Sequence, residues 1–464
     1  MIRPLRRYFS LKPEARTSGP GKNEMKKIRA LLLIALLLFS NLYFVNFLPA
    51  ANLSQSEMEY IEVRNEKNER VKFSRLIMGT DHIAQEDWYG ATPRKITEES
   101  IHELLDEAVR LGINLFDTSP IYVGDIEYKL GKWMQSYRQK NPGKRIYTLS
   151  KGGFPFDLYW SKKLPAGENS YCLQEMLKAR NMMAEGYAAL PNAPNGTYAS
   201  RLFGSKEQII ERISEELGHT LKNLRTYPTV YLMHRDDADF INFEPVKRSQ
   251  NSVKTIMEAL SEKEIRDNYT FLGWSNWKPH RITRSLKLAK KHSDLAKPVF
   301  NSPYFSLFEM SERSIHAGGI QVTHEDMMNE SFLKGIKLMP YSPLAGVAIL
   351  DRPEPCWENA RKDARRKYGQ GDPYWKNVYH AIFTCANEER YNRVVDFTEE
   401  FNKKHRTSYT VDQMVNAYAL AHKRTDFLVI GPISVEQLRR TVASLKLSKM
   451  LSKDDLDYLY YGNE

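Results

Sequence analysis

The chain has 464 residues, 42% hydrophobic and 27% charged, with three cysteines and a formal net charge of +11. That length suits one large α/β domain of about 250 to 350 residues with insertions and a leader. Cys172, Cys356 and Cys385 are too few and too widely spaced for a disulfide framework or a metal motif. The charge is local: residues 1–29 hold nine Lys/Arg against two Asp/Glu, and the other 435 residues share a net of only +4. Nucleic-acid binding by the main domain therefore has no support.

Behind the basic tail of residues 1–29, residues 30–50 are apolar all round, carry Ser40, Asn41 and Asn46 but no charge, and are flanked by Lys26, Lys27 and Arg29. About 20 such residues span a bilayer. The expectation is a single-pass transmembrane or signal-anchor segment, with the domain on the lumenal or exported side by the positive-inside rule. Pro49-Ala50-Ala51 also fits the end of a cleavable signal peptide, and Arg6-Arg7-Tyr8-Phe9-Ser10 in an acid-poor leader resembles a mitochondrial presequence. Sequons start at Asn52, Asn195, Asn268 and Asn329 and fit a secretory lumen, though chance alone supplies about as many. Residues 51–70, polar and rich in Glu and Asn, read as a linker, and 71–464 as the folded domain.

From there, strand-like runs alternate with helical patterns. The strands are expected at 75–79, 113–117, 145–151, 229–234, 270–275, 298–303, 336–341 and 427–431. Thr97 opens the first helix, Ile101, Leu104, Leu105, Ala108 and Leu111 form its apolar stripe, and Gly112 closes it. Ser205 with Gln208 reads as a capping box for 209–224, and further helices are expected at 252–265, 279–291, 411–423 and 435–445. Eight strand–helix units predict a (β/α)8 TIM barrel rather than a doubly wound sheet, and no G-x-G-x-x-G follows the first strand. Two connections, 153–204 and 347–409, are long insertions on the C-terminal face, where lids and binding elements reside.

Three strand ends carry four ionisable groups: Asp117 with Tyr122 five residues on, Lys151 and His234. Singly, each has a plain structural reading, as helix cap, packing residue, solvated strand end or buried imidazole. Together they describe a proton-transfer site. An ammonium beside a phenol is expected to lower the phenol pKa, a carboxylate orients the ammonium, and an imidazole aligns a substrate oxygen. The phenol then gives a proton to a carbonyl oxygen as hydride reaches the carbon. A metal-dependent hydrolase needs clustered His/Asp ligands that His234 and Asp117 alone do not supply.

The motifs Leu76-Ile77-Met78-Gly79-Thr80, Asn114 to Tyr122, Glu127 to Gly131, Ser150-Lys151-Gly152-Gly153, Leu232 to Asp237, Gly273 to Trp277 and Pro340 to Gly346, in that order, give a chain that resembles the aldo-keto reductases over residues 70–450. The resemblance implies a barrel reductase with Asp117, Tyr122, Lys151 and His234 as catalytic tetrad and Tyr122 as general acid. It implies NADP(H) as cofactor, NAD(H) not excluded, held by Gly79, Thr80, Asp117, Ser275, Asn276, Asn301, Tyr341, Ser342, Leu344, Gly346, Gly431, Ser434, Gln437 and Arg440. Two departures from the family pattern bear on that cofactor. Asn301-Ser302-Pro303 stands where a Gln is common, and Ile433 stands where a basic residue is usual, leaving Arg439 or Arg440 for a 2′-phosphate. Trp88, Tyr89, Tyr122, His234 and Trp277 are the expected walls of the substrate pocket. The reading is an oxidoreductase acting on a small aldehyde, ketone or alcohol. Its rival is a catalytically silent nucleotide-binding barrel that serves as a redox-sensing or regulatory subunit.

Overall fold

The computed structural model describes residues 58–84, 95–120, 122, 125–153, 205–235, 252–310, 322–345, 357–369 and 379–462. The chain divides into Met1–Leu53 and Ser54–Glu464, and the described residues belong to the second unit. The expected membrane segment, 30–50, lies outside them. Among the described residues no helix is long and apolar enough to cross a membrane.

Eight parallel strands form one curled sheet. They are β3 (Leu76–Gly79), β4 (Leu115–Asp117), β5 (Tyr147–Gly152), β6 (Val230–Met233), β7 (Phe271–Ser275), β8 (Pro298–Ser302), β9 (Lys337–Leu338) and β10 (Leu428–Ile430), in the order β10-β3-β4-β5-β6-β7-β8-β9. The two ends of that order meet: Phe427 N donates to Leu338 O at 3.0 Å, Val429 N to Pro340 O at 2.8 Å, and Tyr341 bridges Val429 in parallel. The sheet is thus consistent with a (β/α)8 barrel, and each expected strand is present, trimmed at its ends.

A correction concerns residues 51–70. They are not a linker throughout, because β1 (Tyr60–Arg64) and β2 (Arg70–Ser74) pair as an antiparallel hairpin. Its inner residues Val63 and Phe73 belong to the barrel core, and Phe73 meets the rings of Tyr147, Phe271 and Phe300 at 5.3, 5.7 and 6.1 Å. Tyr147 and Phe271 begin their strands, so the hairpin plugs the N-terminal end of the barrel. Only one face of so short a hairpin is buried, which leaves its composition polar.

The helices follow their caps. α1 (Glu98–Arg110) opens on a Thr97/Ser100 capping box and buries Ile101, Leu104, Leu105 and Ala108. It stops at Gly112 (φ 95°), where a Cβ would lie 2.8 Å from Met58 Cβ. α2 (Ile126–Lys140) follows Tyr122, and α3 (Lys206–Leu224) carries the Ser205/Gln208 box. The expected helix 252–265 is two pieces, α4 (Val253–Ser261) and α5 (Lys263–Arg266). Ser261 Oγ donates back to Met257 O at 2.6 Å and takes Ala296 N, a bond that bends helices. α6 (Pro279–Lys291) and the short α7 (His324–Met328) follow.

The described parts of 347–409 are helical rather than loop: α8 (Trp357–Gly369) and α9 (Cys385–His405). The charged run there is a helix surface, with Arg361 paired to Glu358 and Arg366 to Asp363. α10 (Val411–Ala421), α11 (Val435–Ser448) and α12 (Lys453–Tyr461) complete the layer.

Candidate active site

Strand alternation gathers the site. Leu115, Leu149, Leu232, Phe271, Phe300, Met339 and Val429 point into the barrel core. Their outward neighbours meet helices: Phe116 packs on Trp133, Ser150 Oγ donates to Glu127 at 2.7 Å, and Trp274 Nε1 donates to Ser285 at 3.0 Å. With a period of two, the next inward positions are Asp117, Lys151, His234, Ser302, Tyr341 and Gly431, with Ser275 following Gly273 on β7. Gly79 joins them from β3, where a Cβ would stand 2.7 Å from Ile430 O, so no larger residue fits.

Within this ring Lys151 Nζ donates to Asp117 Oδ1 at 2.6 Å, to Tyr122 Oη at 2.7 Å and to Thr118 O at 3.2 Å. Tyr122 Oη lies 3.3 Å from Asp117 Oδ1 as its donor. The Tyr122 and His234 rings meet edge to face at 6.2 Å, and Ser119 Oγ lies 3.4 Å from His234 Nδ1. Asp117, Lys151 and His234 are buried, and Tyr122 is half-buried. All four tetrad candidates are therefore together.

Burial decides the electrostatics. It pushes the Asp117 carboxyl up and the Lys151 ammonium down, against their mutual attraction. It also pushes the Tyr122 phenol well above its usual value, helped by the charges of Asp117 and Asp81. Desolvation of a phenolate is the largest cause, and the net direction is upward although the Lys151 ammonium lies 2.7 Å from Oη. Burial, Lys151 and the neighbouring Arg235 push His234 well below the usual imidazole range, so its ring is neutral. Arg235 follows His234 within its motif, whereas Asp81 belongs to no motif, and only proximity in space reveals its charge at the site.

Next to the tetrad, Asn276 Nδ2 donates to His234 O at 3.2 Å and Ser275 Oγ at 3.1 Å, while Tyr341 Oη donates to Asn276 Oδ1 at 2.6 Å. Ser275 Oγ donates to Ser302 O at 3.1 Å. Asn276 (φ 56°) and Ser342 (φ 55°) are left-handed, a conformation that Ser tolerates poorly and that clusters at ligand clamps. Thr80 Oγ1 is spent on Asp117 O at 2.9 Å, and Leu344 is half-buried. An amide, hydroxyls and a half-buried aromatic ring beside a proton donor fit a planar carboxamide-bearing ring.

Three expected residues stand elsewhere. Asn301, in register with Trp274 and beside the core residue Phe300, faces the helix layer, and Ser302 takes its place in the ring. Trp277 is buried between Trp274, at 4.2 Å, and the Arg281 guanidinium, at 5.0 Å. Arg440 pairs with Asp412 at 3.2 Å and Glu436 at 2.9 Å, and Arg439 with Glu107 at 2.6 Å, which commits both to helix packing. At that end Ser434 caps α11 and Gln437 Oε1 accepts from Ile433 N at 2.8 Å. Trp88, Tyr89 and Gly346 lie outside the described residues.

A phenol, an ammonium, a carboxylate and an imidazole thus gather at the C-terminal mouth of a curled parallel sheet, the face on which barrel enzymes carry their active sites. The model of the aldo/keto reductase family matches residues 75–460, and the chain belongs to that family; it is an oxidoreductase by that membership. A comparison with curated proteins finds no match.

Proposed function

We propose that the protein reduces an aldehyde or ketone to an alcohol with NADPH or NADH, Tyr122 acting as general acid. The observation that carries this reading is the Lys151 ammonium bridging Asp117 and Tyr122 at 2.6 and 2.7 Å. The dinucleotide, when bound, supplies the hydride. Gly79, Thr80, Ser275, Asn276, Ser302 and Tyr341 would hold its nicotinamide end, and Ser342, Leu344, Gly346, Gly431, Ser434 and Gln437 the rest. Trp88 and Tyr89 would wall the substrate side.

The chain's own groups do the remaining work. The Tyr122 hydroxyl gives its proton to the carbonyl oxygen, and the Lys151 ammonium stabilises the phenolate left behind. Asp117 keeps that ammonium in place. With the Ser119 hydroxyl donating to Nδ1, 3.4 Å away, His234 would donate from Nε2 to the same oxygen. Residues 30–50 would anchor the domain to a membrane or direct its export, which a protease-protection assay with a glycosidase shift checks on the full chain.

Tyr122→Phe should lower kcat by about 10²- to 10⁴-fold while leaving the Kd for NADPH and NADH near wild type. Nucleotide oxidation against a panel of carbonyls, beside fluorescence titration of both nucleotides, measures this. Tight nucleotide binding without any Tyr122-dependent turnover would instead mark a silent nucleotide-binding subunit.

A further inference from the structure

We propose that Glu127 is a positioning residue of this site: from the first turn of α2 it ties the Tyr122 segment to the strand that carries Lys151 and so sets the contact between those two side chains. The inference rests on the reading of Tyr122 as the acid. Glu127 is only 2% exposed, and among the described residues it forms no ion pair at contact distance. Its carboxylate takes three neutral donors, Ser150 Oγ at 2.7 Å on β5, and Asn223 Nδ2 at 3.0 Å and Thr220 Oγ1 at 3.3 Å on α3. Ser150 immediately precedes Lys151, and Tyr122 lies five residues before Glu127. One carboxylate therefore joins the two segments whose side chains meet at 2.7 Å.

The helix face beyond Glu127 is shaped for this tie. One turn on, Gly131 packs so closely on the end of α3 that a Cβ there would collide with Asn223 O and Leu224 Cα. That approach brings Thr220 and Asn223 within reach. Glu216 on α3, paired with Arg212, accepts Gly153 N from the same strand end, so the segment after Lys151 is held from behind as well. Tyr231 on β6 completes the set of groups facing this buried cluster.

Burial, opposed only by the three neutral donors and by Lys151, pushes the Glu127 carboxyl up to about 7. When Glu127 is ionised it favours the Lys151 ammonium. A change of Glu127 charge near neutral pH is therefore felt by the group that stabilises the Tyr122 phenolate. Glu127→Gln is a fair probe, because Asn223 Oδ1 has no hydrogen-bond partner and a turn of that amide lets it accept from the new NH₂.

The experiment compares full-length wild type, Glu127→Gln, Glu127→Ala and Tyr122→Phe by melting temperature, KM, and kcat per folded molecule from pH 5 to 9. Glu127→Ala should lose about tenfold or more in kcat with KM for nucleotide unchanged, as expected from a small misplacement of the acid. The wild type should show an inflection near pH 7, and Glu127→Gln should recover most of that kcat but lose the inflection. A lower melting temperature with unchanged kcat in Glu127→Ala, or an unaltered inflection in Glu127→Gln, overturns the proposal. Should Glu127→Ala fail to fold, the Glu127→Gln profile decides alone. Wild-type turnover in Tyr122→Phe would sink the acid assignment itself, whereas an inactive Tyr122→Phe beside a normal Glu127→Ala sinks only the positioning role.

Discussion

At the scale of single residues, Lys151 shows how a buried charge becomes useful. Its 2.6 Å contact with Asp117 lies out of water, where a half-removed pair is far worse than an intact or absent one. Lys151→Met should therefore abolish turnover and also destabilise the fold by about 3–5 kcal/mol, since it strands the Asp117 carboxylate. Adding Asp117→Asn should return most of that stability and none of the activity, as urea unfolding and carbonyl-reduction assays on the single and double variants can check. Three assignments depend on surroundings that the sequence alone does not show. Asn301, Trp277 and Arg440 match a motif by position, but the direction of a side chain depends on strand parity and on neighbours distant in the chain. Strand parity puts Asn301 on the same side as its register partner Trp274, and Asp412 and Glu436 pair with Arg440.

At the scale of elements, the β1–β2 hairpin and the barrel above it can be separated experimentally. Phe73 is wholly buried against three rings at the end of the barrel away from the catalytic groups. Phe73→Ala should cost about 3–5 kcal/mol in denaturant unfolding while leaving kcat per folded molecule unchanged. The barrel strands were legible because each is a short apolar run between helical patterns. The hairpin was not, since only Val63 in β1 and Phe73 with Ser74 in β2 are buried among charged neighbours. α9 was hidden as well: it runs for 21 residues, but only scattered positions such as Tyr391, Val394 and Phe401 are buried.

At the scale of the whole molecule, stability should depend on pH through buried imidazoles outside the active site. His422 has no hydrogen-bond partner at either ring nitrogen, and it packs between Phe305, Tyr418 and His324. His324 stacks on Tyr460 of the last helix at 3.7 Å. Burial pushes His422 down to about 3 and His324 to about 4. Folding thus demands their neutral forms, while the unfolded chain takes up protons below about pH 6.5. Their contribution is complete above that value and drains away as pH falls towards 3. The melting temperature should drop between pH 7 and 5, and His422→Leu should flatten that slope by removing one proton-binding step. Glu127 acts in the opposite sense: its raised value favours the fold most below the unfolded carboxyl pKa and loses effect as pH rises through about 7.

The sequence by itself determined the alternation of eight strands with helices, the four ionisable residues at strand ends and the family they mark, because apolar periodicity and cap residues are local properties of the chain. Only the tertiary structure decided which residues share the mouth, that burial raises the Tyr122 phenol pKa, and that Ser302 rather than Asn301 stands in the ring. The reason is physical: side-chain direction, desolvation and ion-pair partners are set by groups that folding brings together from distant parts of the chain.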